Sequence, residues 1–158
     1  MINRPNSLHG ETMIWLTYII VGFLTGVLSF QLTYCEDKIT EWKSHMVQTL
    51  IDNNSNHLSA SYFYFAGIGV VFVTIASLLT VYVGPGAMGS GVAEVMGLLN
   101  GVNYPKAIGW LTLITKVFGI LFAVTGGLCI GKEGPLVHIG ANIGAMCCYL
   151  PFSWSKYL

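Results

Sequence analysis

The sequence predicts an all-α, polytopic membrane protein whose helices are broken and in part re-entrant. Three observations carry that prediction. Charged residues make up 9% of the chain and hydrophobic ones 54%, with a mean hydropathy of +0.66, whereas a soluble domain typically carries about 25% charged residues. Residues 12–35, 117–131 and 134–155 contain no Asp, Glu, Lys or Arg. Glycine and proline punctuate the apolar sequence at Gly84-Pro85-Gly86, Gly89-Ser90-Gly91, Gly126-Gly127 and Gly131 to Pro135. Irregular backbone at membrane depth is tolerated only where it is buried in protein or lines a cavity, so repeated breaks point to a transport pathway.

Taken in order, residues 1–12 form an amino terminus placed on the cytoplasmic side. Residues 13–35 form a first membrane helix, because the charge-free run is long enough for a hydrocarbon core that needs about 20 residues and too long for a cleaved signal segment. Gly22 and Gly26 sit at the GxxxG spacing that lets a second helix approach closely. The polar stretch 36–61 holds Glu36, Asp37, Lys38, Glu41, Lys43 and Asp52. Its excess of acidic residues predicts a luminal or extracellular loop, since cytoplasmic loops favour Lys and Arg. Asn53-Asn54-Ser55 is an acceptor sequence for N-glycosylation in that topology.

Residues 62–158 supply the remaining membrane helices. One runs from Tyr62 to Val83 and stops at Gly84-Pro85-Gly86. A short one, Val92 to Leu99, lies between Gly91 and Asn100-Gly101 and cannot span. Another runs from Ala107 through Lys116 to Ala123. The last starts at Glu133 or Gly134, because Pro135 suits a first helical turn, where its missing amide hydrogen is not needed. Tyr62, Phe63, Tyr64, Phe65, Trp110 and Trp154 read as interfacial anchors.

Glu133 is the residue that calls for a function, because Lys132 and Glu133 interrupt apolar sequence on both sides. Ionisable groups placed within a membrane are costly and mark pathways for ions or protons. A helix starting at Glu133 offers free amides and the positive end of its dipole to an anion. Glu133 is itself an anion at that spot, so protonation that releases it would couple anion occupancy to pH. The bland alternative is a glutamate that caps its own helix. Gly89-Ser90-Gly91 offers a hydroxyl and amides at another short helix, although an N-capping serine is the common reading of such a triplet.

Together, Gly89-Ser90-Gly91-Val92-Ala93-Glu94, Leu99-Asn100-Gly101-Val102 and Gly131-Lys132-Glu133-Gly134-Pro135-Leu136-Val137-His138 resemble, in order and spacing, the CLC family of voltage-gated chloride channels and chloride/proton exchangers. The similarity covers the amino-terminal part of the membrane domain and is nearest the eukaryotic endosomal, lysosomal or vacuolar branch. It implies a partial CLC chloride channel fold in a multi-pass membrane protein. It further implies Glu133 as gating glutamate, Ser90 as a chloride ligand with Gly89 and Gly91, and an outer anion site near Lys132 and Gly134. Chloride is then the transported ion, with protons as well if the protein is an exchanger rather than a channel, the lipid bilayer is the environment, and a homodimer is the full-length form. Two departures stand out: Ala93 replaces the family's usual proline, and the second half of the membrane domain and the CBS domains are expected to be absent. A truncated, non-transporting CLC-like partner is the rival expectation.

Other functions are disfavoured. Net charge is zero and the basic residues are scattered, so no nucleic-acid partner is indicated. Gly126 to Lys132 fits the GxxxxGK of a phosphate loop, but Glu133 stands where a Ser or Thr should bind magnesium, so no enzyme is expected. No metal site or cofactor is expected either: Cys35, Cys129, Cys147 and Cys148 lack ligand spacing, and His9, His45 and His57 are dispersed. His138 reads as a packed histidine.

Overall fold

A computed structural model describes residues 8–53, 58–102, 104 and 106–149. Five α-helices follow one another: α1 (Leu8–Asn53), α2 (Leu58–Leu78), α3 (Val92–Leu99), α4 (Trp110–Thr125) and α5 (Glu133–Tyr149). No strand occurs among the described residues. Two helical stretches, Ile14–Asp52 and Ser59–Val83, are long and apolar enough to cross a membrane, and Trp110–Thr125 is a shorter apolar helix.

The first correction concerns the polar stretch. Residues 36–53, expected as a loop, continue α1 as helix without interruption. Hydropathy reads charge as a chain leaving the membrane, yet Lys and Glu are good helix formers, and side chains three residues apart can pair along a helix, as Lys38 and Glu41 do at 3.0 Å. Arg4, most of the Asn53-Asn54-Ser55 acceptor, the His57 position and Trp154 lie outside the described residues.

A second correction concerns helix approach. A Cβ built on Gly22 or Gly26 would meet nothing within 4 Å, so neither glycine is covered. The close approach belongs instead to α5: a Cβ on Gly140 would lie 3.7 Å from Thr25, and one on Gly144 would lie 3.9 Å from Val21. The same spacing rule holds, but it acts on the opposite partner of the α1–α5 pair. α2 and α4 cross equally tightly, since a Cβ on Gly69 would come within 2.6 Å of the Gly126 carbonyl.

The core forms where α1, α4 and α5 meet. Leu113, Ile139 and Ile143 are buried there, with Val21, Leu28, Leu32, Val117 and Leu136 packed around them. After α2 the chain forms a π-turn over Leu79–Val83 and a 3₁₀ turn over Pro85–Ala87, which ends the span where Gly84-Pro85-Gly86 predicts a break. The polar side chains Asn142 and His138 of α5 hold the entry to α4. Asn142 Oδ1 accepts from the Gly109 amide at 2.8 Å, and His138 Nε2 bonds the Ala107 carbonyl at 2.8 Å.

Lys43 fastens α1 to the far end of α4. It is 3% exposed, donates to the Thr125 carbonyl at 3.3 Å and lies 3.9 Å from the Phe65 ring centroid. A cation at a helix C-terminus complements the dipole, and the ring face adds a cation–π attraction. Lys43→Met is therefore expected to destabilise the fold by about 1–3 kcal/mol, measured by SDS unfolding in mixed micelles. A Lys43→Met protein as stable as the parent would show that this cation fastens nothing.

Candidate functional site

The site is built from two short loops that precede helices. The first, before α3, is Gly89-Ser90-Gly91, where Gly89 has φ 69° and Gly91 has φ 80°. Those left-handed values suit residues without a Cβ, so the triplet turns sharply and presents the start of α3. Lys116, in the middle of α4 and 3% exposed, reaches this loop from behind. Its Nζ donates to the Ala87 carbonyl at 3.0 Å and the Gly89 carbonyl at 2.6 Å. Charge-assisted bonds of this kind are the stronger ones, and they turn the two carbonyls toward a cation rather than toward the cavity.

The second loop leads into α5. The Lys132 carbonyl accepts from the Leu136 amide at 3.0 Å, closing the first turn, and Glu133 opens the helix with Pro135 inside that turn, as Pro135 predicts. The two loops touch. A Cβ on Gly134 would lie 2.9 Å from the Ser90 Cβ, and one on Gly91 would overlap the His138 ring. Only residues without side chains allow α3 and α5 to start this close together.

A cavity of about 640 Å³ opens between them. Gly89, Ser90, Gly131, Gly134 and Pro135 line it from the two loops, and Thr115 and Lys116 from α4. Its lining includes one charged residue, Lys116, and no acidic one. Lys116 and the first turn of α5, through Gly134 and Pro135, give it features that suit a small anion, while Glu94 in the first turn of α3 and Glu133 in that of α5 lie outside its lining. Ser90 is exposed, and its hydroxyl accepts only a long 3.5 Å contact from the Val92 amide, so it is not engaged as a strong helix cap.

Glu133 lies apart from this cavity. Its side chain lines a second one, about 180 Å³, with Ser29, Thr33 and Glu36 of α1, Ile120 and Leu121 of α4, and Lys132 and Leu136. Lys132 pairs there with Glu36 at 2.5 Å. Of the predicted residues, the structure thus brings Gly89, Ser90 and Gly134 to one cavity and Lys132 and Glu133 to its neighbour, while Gly91 packs on His138.

Sequence reasoning missed Lys116 and Glu36. Lys116 was within reach of the argument that singled out Glu133, because it too is a lone charge in an apolar helix. Glu36 was not, since it looks like the first of several loop charges. His138 does pack, being fully buried with Nε2 bonded, while its Nδ1 has no hydrogen-bond partner.

Comparison with known proteins agrees with this architecture. Residues 71–156 match the family model described as voltage gated chloride channel. The chain is 35% identical over 146 residues to the H(+)/Cl(-) exchange transporter 7 of Bos taurus, covering 91% of this chain and 18% of that protein. It is 35% identical to chloride channel protein D of Dictyostelium discoideum, over 85% of this chain and 13% of that protein. Chloride channel protein CLC-c of Arabidopsis thaliana is 33% identical over 82% of this chain, which covers 16% of that protein. The chain thus spans less than a fifth of the length of these relatives. Since the match takes in both helix-starting loops and the anion-suited cavity between them, the chain belongs to the CLC, or voltage-gated chloride channel, family.

Proposed function

We propose that the chain forms part of a chloride pathway across a membrane, in a voltage-gated chloride channel or a chloride/proton antiporter, with Ser90 as chloride ligand and Glu133 as gating glutamate. The observation that carries this reading is the 640 Å³ cavity whose lining holds Lys116, Ser90 and the first turn of α5 but no carboxylate. A small anion entering it finds the Ser90 hydroxyl and the Lys116 ammonium among otherwise mostly apolar walls. Backbone amides at Gly89, Gly91, Lys132 and Gly134 extend the same chemistry along the two loops. The family supports chloride as the ion, and the names of its exchange members support protons as the counter-substrate.

Glu133 lines the neighbouring cavity and stands one residue before Gly134, which lines the first. When ionised, its carboxylate competes with chloride for the amino end of α5; a proton taken up from water neutralises it and releases the place. A homodimeric full-length form in an endosomal, lysosomal or vacuolar membrane completes the proposal. The rival reading, a non-transporting partner, draws on one observation: Ser90 and Glu133 line separate cavities.

Chloride efflux from liposomes carrying the chain tests the choice. The expected result is efflux above that of empty liposomes, rising from neutral to acidic pH, and an E133A protein whose efflux is equally high at both. No efflux from the parent overturns transport and favours the rival. Efflux that stays pH-dependent in E133A overturns the gating role alone.

A further inference from the structure

Lys132 and Glu133 are neighbours in sequence, yet their side chains are treated differently. The Lys132 ammonium is held by Glu36, 96 positions away on α1. Glu133 makes no ion pair or hydrogen bond among the described residues. Around Glu133 the charged groups of its cavity are Glu36 from α1 and the adjacent Lys132. α4 contributes Ile120 and Leu121, α5 contributes Leu136, and the rest of α1 contributes Ser29, Leu32 and Thr33. Lys116 of α4 lines the first cavity instead.

The Glu36 side chain is 18% exposed and that of Lys132 37%. A pair so enclosed is screened less than a surface one, and its short contact is charge-assisted. If Glu36 lost its charge, the ammonium would have one other anion within that cavity, Glu133. An ion pair there would keep the Glu133 carboxylate ionised and on the side of the second cavity, away from Ser90.

We infer that Glu36 is a positioning residue: by holding Lys132 on α1, it keeps the ammonium from capturing Glu133 and leaves the gate carboxylate free to enter the chloride cavity. This inference deepens the proposed function and rests on it. α1 thereby takes part in gating through one side chain in the middle of the helix, which reaches the Lys132 side chain rather than the chloride cavity. The protein needs a cation near the loop and also needs it occupied.

The test compares chloride efflux at acidic and neutral pH for the parent, E36Q and E36Q/K132M in liposomes. E36Q is expected to raise efflux at neutral pH to its acidic-pH level, so that the acid-to-neutral ratio falls to near one. E36Q/K132M, with the captor removed, is expected to regain the parent ratio. Simple loss of an α1–α5 tether would lower efflux at both pH values and leave the ratio unchanged, and that result overturns the inference. So does a double variant whose ratio stays near one. E36D, which keeps the charge on a shorter arm, is expected to give an intermediate ratio and serves if E36Q does not fold. A parent ratio in E36D then overturns the inference. A parent without efflux overturns the transport reading itself, a result distinct from all of these.

Discussion

Gly91→Ala is expected to destabilise the protein by about 2–5 kcal/mol and to abolish chloride efflux. Two costs add at this position. A non-glycine residue at φ 80° bears the strain of the left-handed region, about 1–2 kcal/mol. The new Cβ would also overlap the ring of His138, which is fully buried and bonded to the connection between α3 and α4 through the Ala107 carbonyl. His138 cannot step aside without breaking that bond, so α3 must tilt away from α5. Gly89→Ala is the control. Its φ of 69° brings similar strain, but nothing lies within 4 Å of the built Cβ, so a loss of only about 1–2 kcal/mol is expected. SDS unfolding of both variants in mixed micelles reads the difference, and equal losses would show that the contact with His138 carries no weight.

Lys116→Met is expected to leave the helices in place and reduce chloride efflux about tenfold or more, with a raised KM for chloride. The methionine fills much of the same space but donates nothing to the Ala87 and Gly89 carbonyls. Each bond from a charged donor contributes about 1.5–3 kcal/mol, and the loss leaves the carbonyl of buried Ala87 unsatisfied. Those carbonyls are then free to turn toward the cavity, where they would repel the anion that the proposed function places there. One substitution thus removes the positive charge and releases the negative ends it restrains. Lys116→Arg, which keeps the charge, is expected to retain more efflux than Lys116→Met. Circular dichroism establishes that the helices persist, and concentration-dependent efflux gives the KM. A Lys116→Met protein with parent KM would mean that the cation does not act on the anion path.

Much of this arrangement is legible in the residues because the signals are local. Gly91 and Asn100-Gly101 bound α3 at Val92–Leu99 as expected, since a residue at positive φ and a helix stop act within one turn. Pro135 likewise fixes the start of α5 at Glu133. What sequence does not disclose is long-range pairing. Lys132 meets Glu36, Lys43 meets Thr125, and Lys116 meets Gly89 only after α1, α4 and α5 have packed. Residues 36–53 mislead for a related reason: charges spread along a helix have the composition of a loop. Gly22 and Gly26 show the converse, a spacing that favours close approach but lacks a neighbour among the described residues.

The length of α1 acts as a ruler for the gate. Its 46 residues extend about 69 Å at 1.5 Å per residue, more than twice a hydrocarbon core of about 30 Å. Counting from Ile14, where its spanning stretch begins, Glu36 lies about 33 Å along the axis. With Ile14 taken as one membrane boundary, the proposed clamp on Lys132 falls close to the other. Under the proposed function, Glu133 beside it then receives its proton from the water on that side, without passage through the bilayer.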